Sequence, residues 1–220
     1  MHQRILTLLL ALGAITSLPA AVFELAPVLP PECPSCQYAA ESDIVFGPGL
    51  ATLSSLRFGD FSSIVRTPVG PNDELETYNA TGAGVLQLGS SFFDVFFDVT
   101  VDSITHGNRP IPIGSFATEM LQMNLTGSNF PVLVRESPTL PSFGQSTVQP
   151  VPGGFRVDSF FDVFTELSLD GGQNWIPSNG PPTRLSINDT PEPSTIGLGL
   201  LGLLGCGWRV LRRRRSTVAP

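Results

Sequence analysis

The chain contains no lysine, and beyond its first few residues it contains one histidine, His106. Missing lysine excludes Schiff-base chemistry and a P-loop, which both need its amine. One imidazole per chain cannot build a histidine-rich zinc site. The residue types needed for a Ser-His-Asp triad around His106 are present, but the sequence contains no G-x-S-x-G elbow. The polar run 106–110 predicts a loop.

Charged side chains are also scarce, at 14% of the 220 residues, where about 25% is usual. Between Ala21 and Thr190, six arginines stand against 18 acidic residues, a net charge of about −12. An acidic surface without lysine does not match a phosphate backbone, which attracts basic faces. We therefore predict that the body of the chain has no nucleic-acid partner.

No part of the body sustains a helical period, whereas glycine (22) and proline (21) supply many turns. Short apolar runs separated by turn residues predict an all-β fold, an antiparallel β-sandwich of the jelly-roll type. The predicted domains are a signal peptide (1–21), a proline-rich leader (22–43), the sandwich (44–190) and a tail (191–220). The predicted strands, besides the repeat described next, cover 50–58, 84–88, 116–125, 131–135, 155–157 and 183–187.

An internal repeat relates residues 91–102 to residues 159–170, with seven of twelve positions identical at an offset of 68. Both copies alternate with period two, which predicts two long, equivalent strands with one buried face. The inward set is Phe93, Val95, Phe97, Val99 and Val101 in the first copy, and Phe161, Val163, Leu167 and Leu169 in the second. Phe92, Phe96, Phe160 and Phe164 fall on the polar face.

Three aspartates, Asp94, Asp98 and Asp102, share that polar face. Neighbouring members are ~13 Å apart along a strand, too far for a glycosidase pair at about 5–9.5 Å or for one calcium ion. Asp162 or Glu166 could complete a site if the two copies pair. Otherwise these residues form a solvated face, and 71–76 forms an acidic loop. We expect no catalytic residue, no bound metal and no cofactor, with a structural calcium left open.

Cys33 and Cys36 form a C-x-x-C within the leader, and Cys206 lies in the apolar tail. In an exported protein this spacing favours a local disulfide. Free thiols, or a redox or metal site, remain the alternatives, although zinc would need two further ligands.

Residues 168–175 resemble the Asp-box pattern of sialidase-like propellers, through Ser168, Asp170, Gly172 and Trp175. The resemblance implies a structural hairpin turn, with the Asp170 carboxylate bonded to the turn backbone. One such box in about 150 residues indicates a lone hairpin.

Both ends of the chain read as targeting segments. Arg4, the apolar stretch 5–15 and the small residues up to Ala21 are typical of a cleaved signal peptide. At the other end, Pro191, Glu192 and Pro193 precede an apolar run, 196–211, and four arginines, Arg212, Arg213, Arg214 and Arg215. As a helix the run spans about 24 Å, short for a bilayer core of about 30 Å. We predict a weak transmembrane helix with the arginines on the cytoplasmic side.

This three-part tail, 191–220, resembles the PEP-CTERM sorting signal. The resemblance implies export, processing by an exosortase-like membrane enzyme, and a host that makes extracellular polysaccharide. It says nothing about the body. The sequence therefore predicts a non-enzymatic protein that its tail helix holds transiently in the membrane before delivery to the cell surface or extracellular matrix. Extracellular polysaccharide is its candidate partner. The alternatives are a carbohydrate-binding module or weak glycan hydrolase, and a permanently anchored surface protein.

Overall fold

The computed structural model describes residues 21–30 and 32–189, and within them it contains strands and no helix. The all-β, antiparallel prediction is confirmed. None of the described residues forms a helix with the length and apolar character that crossing a membrane requires. The predicted tail helix and nearly all of the predicted signal peptide lie outside the described residues.

The strands are β1 (Val22–Glu24), β2 (Cys36–Ala40), β3 (Ile44–Phe46), β4 (Ala51–Val69), β5 (Asp73–Leu88), β6 (Ser91–Thr105), β7 (Gly114–Gly127), β8 (Leu133–Glu136), β9 (Ser142–Val151), β10 (Gly154–Val163), β11 (Thr165–Ser168), β12 (Ile176–Pro177) and β13 (Thr183–Asp189).

Eight of these strands pair in a closed, antiparallel order. The ring runs β2-β4-β5-β6-β7-β9-β10-β13, and β13 pairs back onto β2. The other strands attach to the ring: β1 to β10, β3 to β4, β8 to β7, β11 to β8 and β12 to β11. All 13 strands thus belong to one connected sheet. These pairings do not confirm a division into the two packed sheets of a jelly-roll sandwich.

The two copies of the repeat take different places in this ring. The first copy lies within the unbroken strand β6, between β5 and β7. The second is interrupted at Phe164, because β10 pairs with β9 and β13, whereas β11 pairs with β8 and β12. The copies do not pair with each other. Their alternation nevertheless holds: Val95, Phe97, Val99, Val101, Phe161, Val163 and Leu167 are all buried.

Strand β4 is much longer than predicted and carries three register shifts against β5. Ser55, Asp60 and Ser63 have φ values of 54°, 53° and 53°, as expected where a bulge adds one residue to a strand. The first bulge keeps both Leu53 and Leu56 buried, although they are three residues apart. The predicted acidic loop at 71–76 is wrong from Asp73 onward, because β5 begins there.

A cluster of aromatic rings lies at the centre of the buried core. The ring of Tyr38 lies 5.5 Å from Phe58, 6.0 Å from Phe61 and 5.7 Å from Phe161, measured between centroids. The Tyr38 hydroxyl shares a 2.9 Å hydrogen bond with Ser159, so its polar end has a partner inside the core. Burial of such rings stabilises the fold by about 1.5–3 kcal/mol each.

The leader packs against the ring through Leu29, which is 5% exposed. Arg66 of β4 holds this segment in place: its Nε donates to the Leu29 carbonyl at 2.7 Å and its Nη2 to the Pro30 carbonyl at 3.3 Å. The same Nη2 pairs with Glu32 at 2.7 Å. The leader is therefore part of the folded body, not a separate linker.

Candidate functional site

The C-x-x-C of the leader is closed in the structure as a Cys33–Cys36 disulfide. Glu24 of β1 lies beside it and accepts a hydrogen bond from the Cys33 N–H at 2.6 Å. Burial raises the pKa of Glu24, against the lowering effect of that N–H. These three residues are the one group of His, Cys, Asp or Glu within the described residues that is close enough to share a metal. With both sulfurs in a disulfide, no thiolate remains to bind one.

Asp170 organises the turn between β11 and β12. Its Oδ1 accepts hydrogen bonds from the backbone N–H groups of Gln173 (3.0 Å) and Asn174 (2.9 Å) and from the Ser168 hydroxyl (2.8 Å). These bonds, the Asn174 backbone N–H first, lower the pKa of Asp170 to about 2. The indole N–H of Trp175 donates to the Gly172 carbonyl at 3.1 Å, and Gly172 has a φ of 89°. The arrangement fixes a turn.

The acidic residues of the two repeat copies do not converge. Asp94, Asp98 and Asp102 of β6 lie opposite Val85, Thr81 and Thr77 of β5. In the second copy, Asp162 pairs with Arg184 at 2.8 Å, and Glu166 pairs with Arg135 at 2.6 Å. The structure therefore does not bring Asp162 or Glu166 to the first copy, which a shared calcium or a catalytic pair would require.

His106 lies at the end of β6 and is exposed. Its Nδ1 lies 3.1 Å from Asp73 Oδ2, while Asp73 Oδ1 accepts the Gly107 N–H at 2.9 Å. The hydrogen bond to His106 lowers the pKa of Asp73. Among the described residues, no serine hydroxyl bonds to His106, so the triad that the sequence left open is not assembled here.

Sequence reasoning missed a polar pocket inside the ring, centred on Glu76. Glu76 is 1% exposed, its Oε1 has no hydrogen-bond partner within the described chain, and its Oε2 lies 3.5 Å from the Ser103 hydroxyl. Burial raises the pKa of Glu76 to about 8. A cavity of about 10 Å³ adjoins it, and its lining includes Leu29, Tyr38, Tyr78 and Thr105. Because Glu76 follows the acidic residues Asp73 and Glu74, nothing in the sequence indicated that its side chain is buried.

A second surface that the sequence did not reveal crosses β4, β5 and β6 on their outer side. Arg57 lies opposite Ala83, and Ala83 lies opposite Phe96. Adjacent strands are about 4.8 Å apart, so the backbones at Arg57 and Phe96, two strands apart, are separated by about 10 Å. The small side chain of Ala83 lies between them. Depressions of about 400 and 250 Å³ adjoin this row. We call this surface the Phe96 groove; it is lined by Arg57, Asp60, Thr81, Ala83, Phe96 and Asp98.

The four polar-face rings of the repeat fall into two groups. Phe96 is 55% exposed and Phe92 is 67% exposed. Phe160 is covered by the guanidinium of Arg184, whose Cζ lies 3.9 Å from the ring centroid, and Phe164 is half-buried. The rings of the first copy are therefore the more exposed pair, and Phe96, unlike Phe92, lines the two depressions beside Arg57 and Ala83.

The comparisons with known proteins concern the tail. Residues 189–215 match the family of the PEP-CTERM protein-sorting motif, which confirms the predicted resemblance. The match includes Pro191, Glu192, Pro193 and the four arginines, which lie outside the described residues. A PEP-CTERM motif implies export, processing by an exosortase and sorting at the cell envelope. No curated protein and no solved structure gives a significant match.

Proposed function

We propose that this chain is a non-enzymatic, exported protein that an exosortase-like enzyme processes and delivers to the cell surface or extracellular matrix. The observation that carries the proposal is the PEP-CTERM match at residues 189–215. The match begins at Asp189, the last residue of β13. Removal of the tail at the motif would therefore spare every strand that the structure describes.

The arrangement of the body's polar residues supports an interaction role over catalysis. Asp162 and Glu166 are held in ion pairs with arginines. Asp170 is bonded into its turn, and the two described cysteines are joined. Each of these groups is engaged in a contact that stabilises the fold. For this reason we favour a binding role for the body over a catalytic one.

The intact mass of the protein recovered from the cell envelope and from the medium tests this function. We expect a mature form that has lost the residues before Ala21 or Val22 and the residues after the Pro-Glu-Pro motif. In a host that lacks its exosortase, we expect the carboxy-terminal part to be retained. Retention of 196–220 in the normal host would contradict sorting and would indicate a permanently anchored surface protein.

The second candidate function is carbohydrate binding at the cell surface. The exposed ring of Phe96, beside a depression of about 400 Å³, favours it. That volume lies within the range of about 300–1,000 Å³ that is common for small-ligand sites.

A further inference from the structure

We propose that the Phe96 groove binds a neutral glycan chain, with one sugar ring stacked on Phe96 and its hydroxyls bonded to Arg57 and Asp98. This inference deepens the interaction role proposed above by naming its site and its ligand class.

The first support is the chemistry of the groove's walls. A sugar ring presents an apolar C–H face and a rim of hydroxyls, so it needs an exposed aromatic face with donors and acceptors at the rim. Phe96 supplies the face, the Arg57 guanidinium supplies donors and the Asp98 carboxylate supplies acceptors. The side chains of Arg57 and Asp98 are both exposed and make no hydrogen bond or ion pair to any other described residue. Their polar atoms are free for a ligand.

The second support is that the backbone at Phe96 is held in place before any ligand binds. Strand β7 stops pairing with β6 at Gly127, opposite Phe97. Beyond Gly127, the side chain of Asn129 takes the place of β7 as the hydrogen-bonding partner of β6. This side chain accepts the Phe96 N–H at 2.9 Å and donates to the Asp94 carbonyl at 2.9 Å. The Ser128 N–H donates to the Phe96 carbonyl at 2.9 Å. A ring on a fixed backbone loses little freedom on binding, which favours affinity.

The wall of the groove on the side away from Phe96 is also held in place by contacts within the protein. The bulge at Asp60 turns its carboxylate toward Thr81, whose hydroxyl donates to Asp60 Oδ2 at 3.0 Å. At Gly59 a Cβ would lie 2.6 Å from the Cys36 carbonyl, so glycine allows β2 to approach β4 closely. Pro34, inside the Cys33–Cys36 loop, lines the same depression. The disulfide thus fixes part of the wall.

The charge of the groove selects among glycans. Asp60 and Asp98 line it with Arg57 as the only basic residue, and the body as a whole carries about −12. A polyuronate would approach against this field, whereas an uncharged chain would not. The groove is therefore suited to a neutral glycan.

Affinity gel electrophoresis of the full-length protein, in a polyoxyethylene detergent without sugar headgroups, tests the inference. Separate gels contain dextran, laminarin, galactomannan or alginate. We expect retardation by at least one of the three neutral glycans and none by alginate. No retardation in any neutral gel, or retardation by alginate alone, would overturn the inference.

Matched variants locate the site. Phe96→Ala is expected to weaken binding at least ~10-fold, the scale of a central aromatic contact. Phe92→Ala removes a ring of the same type, from the same strand and face but outside the groove, and is expected to change binding by less than ~2-fold. Equal losses in the two variants would overturn the assignment to the groove. Thermal unfolding of each variant checks that the fold persists, and the result does not depend on whether the tail is processed.

Discussion

Ser63 holds a backbone conformation that favours glycine. Its φ of 53° lies in the left-handed region, which costs a non-glycine residue about 1–2 kcal/mol. Its side chain is exposed, so its removal forfeits no buried contact. We expect Ser63→Gly to raise the free energy of unfolding by about 1 kcal/mol in urea denaturation.

The neighbouring Ser62 supplies the control for that prediction. It is also exposed, but it has no positive φ and pairs with Asn79 of β5. Glycine at a strand position without a positive φ costs about 0.5–1 kcal/mol in backbone entropy. Ser62→Gly should therefore destabilise the protein. If both variants shift stability in the same direction, strain at the Ser63 bulge is not the cause.

Glu76 should make the stability of the protein depend on pH. Its pKa is raised from 4.5 to about 8 in the folded state, so the folded protein retains a proton that the unfolded chain loses. The stabilisation is complete below pH 4.5 and is lost as the pH rises through about 8, by on the order of a few kcal/mol. Denaturant midpoints between pH 5 and pH 9 would measure this loss.

Glu76→Gln keeps the shape of the side chain and removes its titration. We expect the free energy of unfolding of this variant to fall much less between pH 5 and pH 9 than that of the wild type. Asp43→Asn is the control, because Asp43 is exposed and bonds to no other described residue. A wild-type slope that survives in Glu76→Gln would assign the pH dependence to another group.

At the scale of elements, the β11–β12 turn depends on one carboxylate. Asp170 accepts from two backbone N–H groups and two side chains. Because its pKa is lowered to about 2, its stabilisation is present above pH 3.8 and is lost as the pH falls through about 2. We expect Asp170→Ala to lower the melting temperature at pH 7 more than Asp43→Ala does, in differential scanning calorimetry. Equal shifts would show that the turn does not need the carboxylate.

How far sequence predicts these elements depends on whether side-chain alternation is unbroken. Strand β6 alternates from Val95 to Val101 without a shift, and it was predicted with its buried face. Strand β4 was predicted only to Phe58, because each bulge moves the apolar positions by one residue. The second repeat copy keeps its alternation, but its break at Phe164 comes from partners that are distant in sequence.

The candidate sites were also predicted only where their residues are close together in the sequence. The local features, the disulfide pair and the Asp170 turn, lie within eight residues each and were recognisable as motifs. The Phe96 groove combines residues of β4, β5 and β6 with Pro34. Glu76 is buried only because the ring closes around it. Both depend on strand register over the whole chain, which side-chain periodicity does not encode.

At the scale of the whole molecule, β13 connects the fold to the sorting tail. It closes the ring between β2 and β10, and it buries Leu185 and Ile187. A chain that ends at Asp189 keeps this strand, whereas one that ends at Pro182 exposes the edges of β2 and β10 and loses both buried side chains. We expect a cooperative thermal transition in the first chain and none in the second.

Circular dichroism melting of the two truncated chains distinguishes a body that is independent of its tail from one that needs it. A cooperative transition in the Asp189 chain would mean that processing at the Pro-Glu-Pro motif releases a protein with all its strands, and with the Phe96 groove intact. Loss of that transition would contradict delivery of a folded body after tail removal. Folding of the Pro182 chain would instead show that the ring does not need β13 to close.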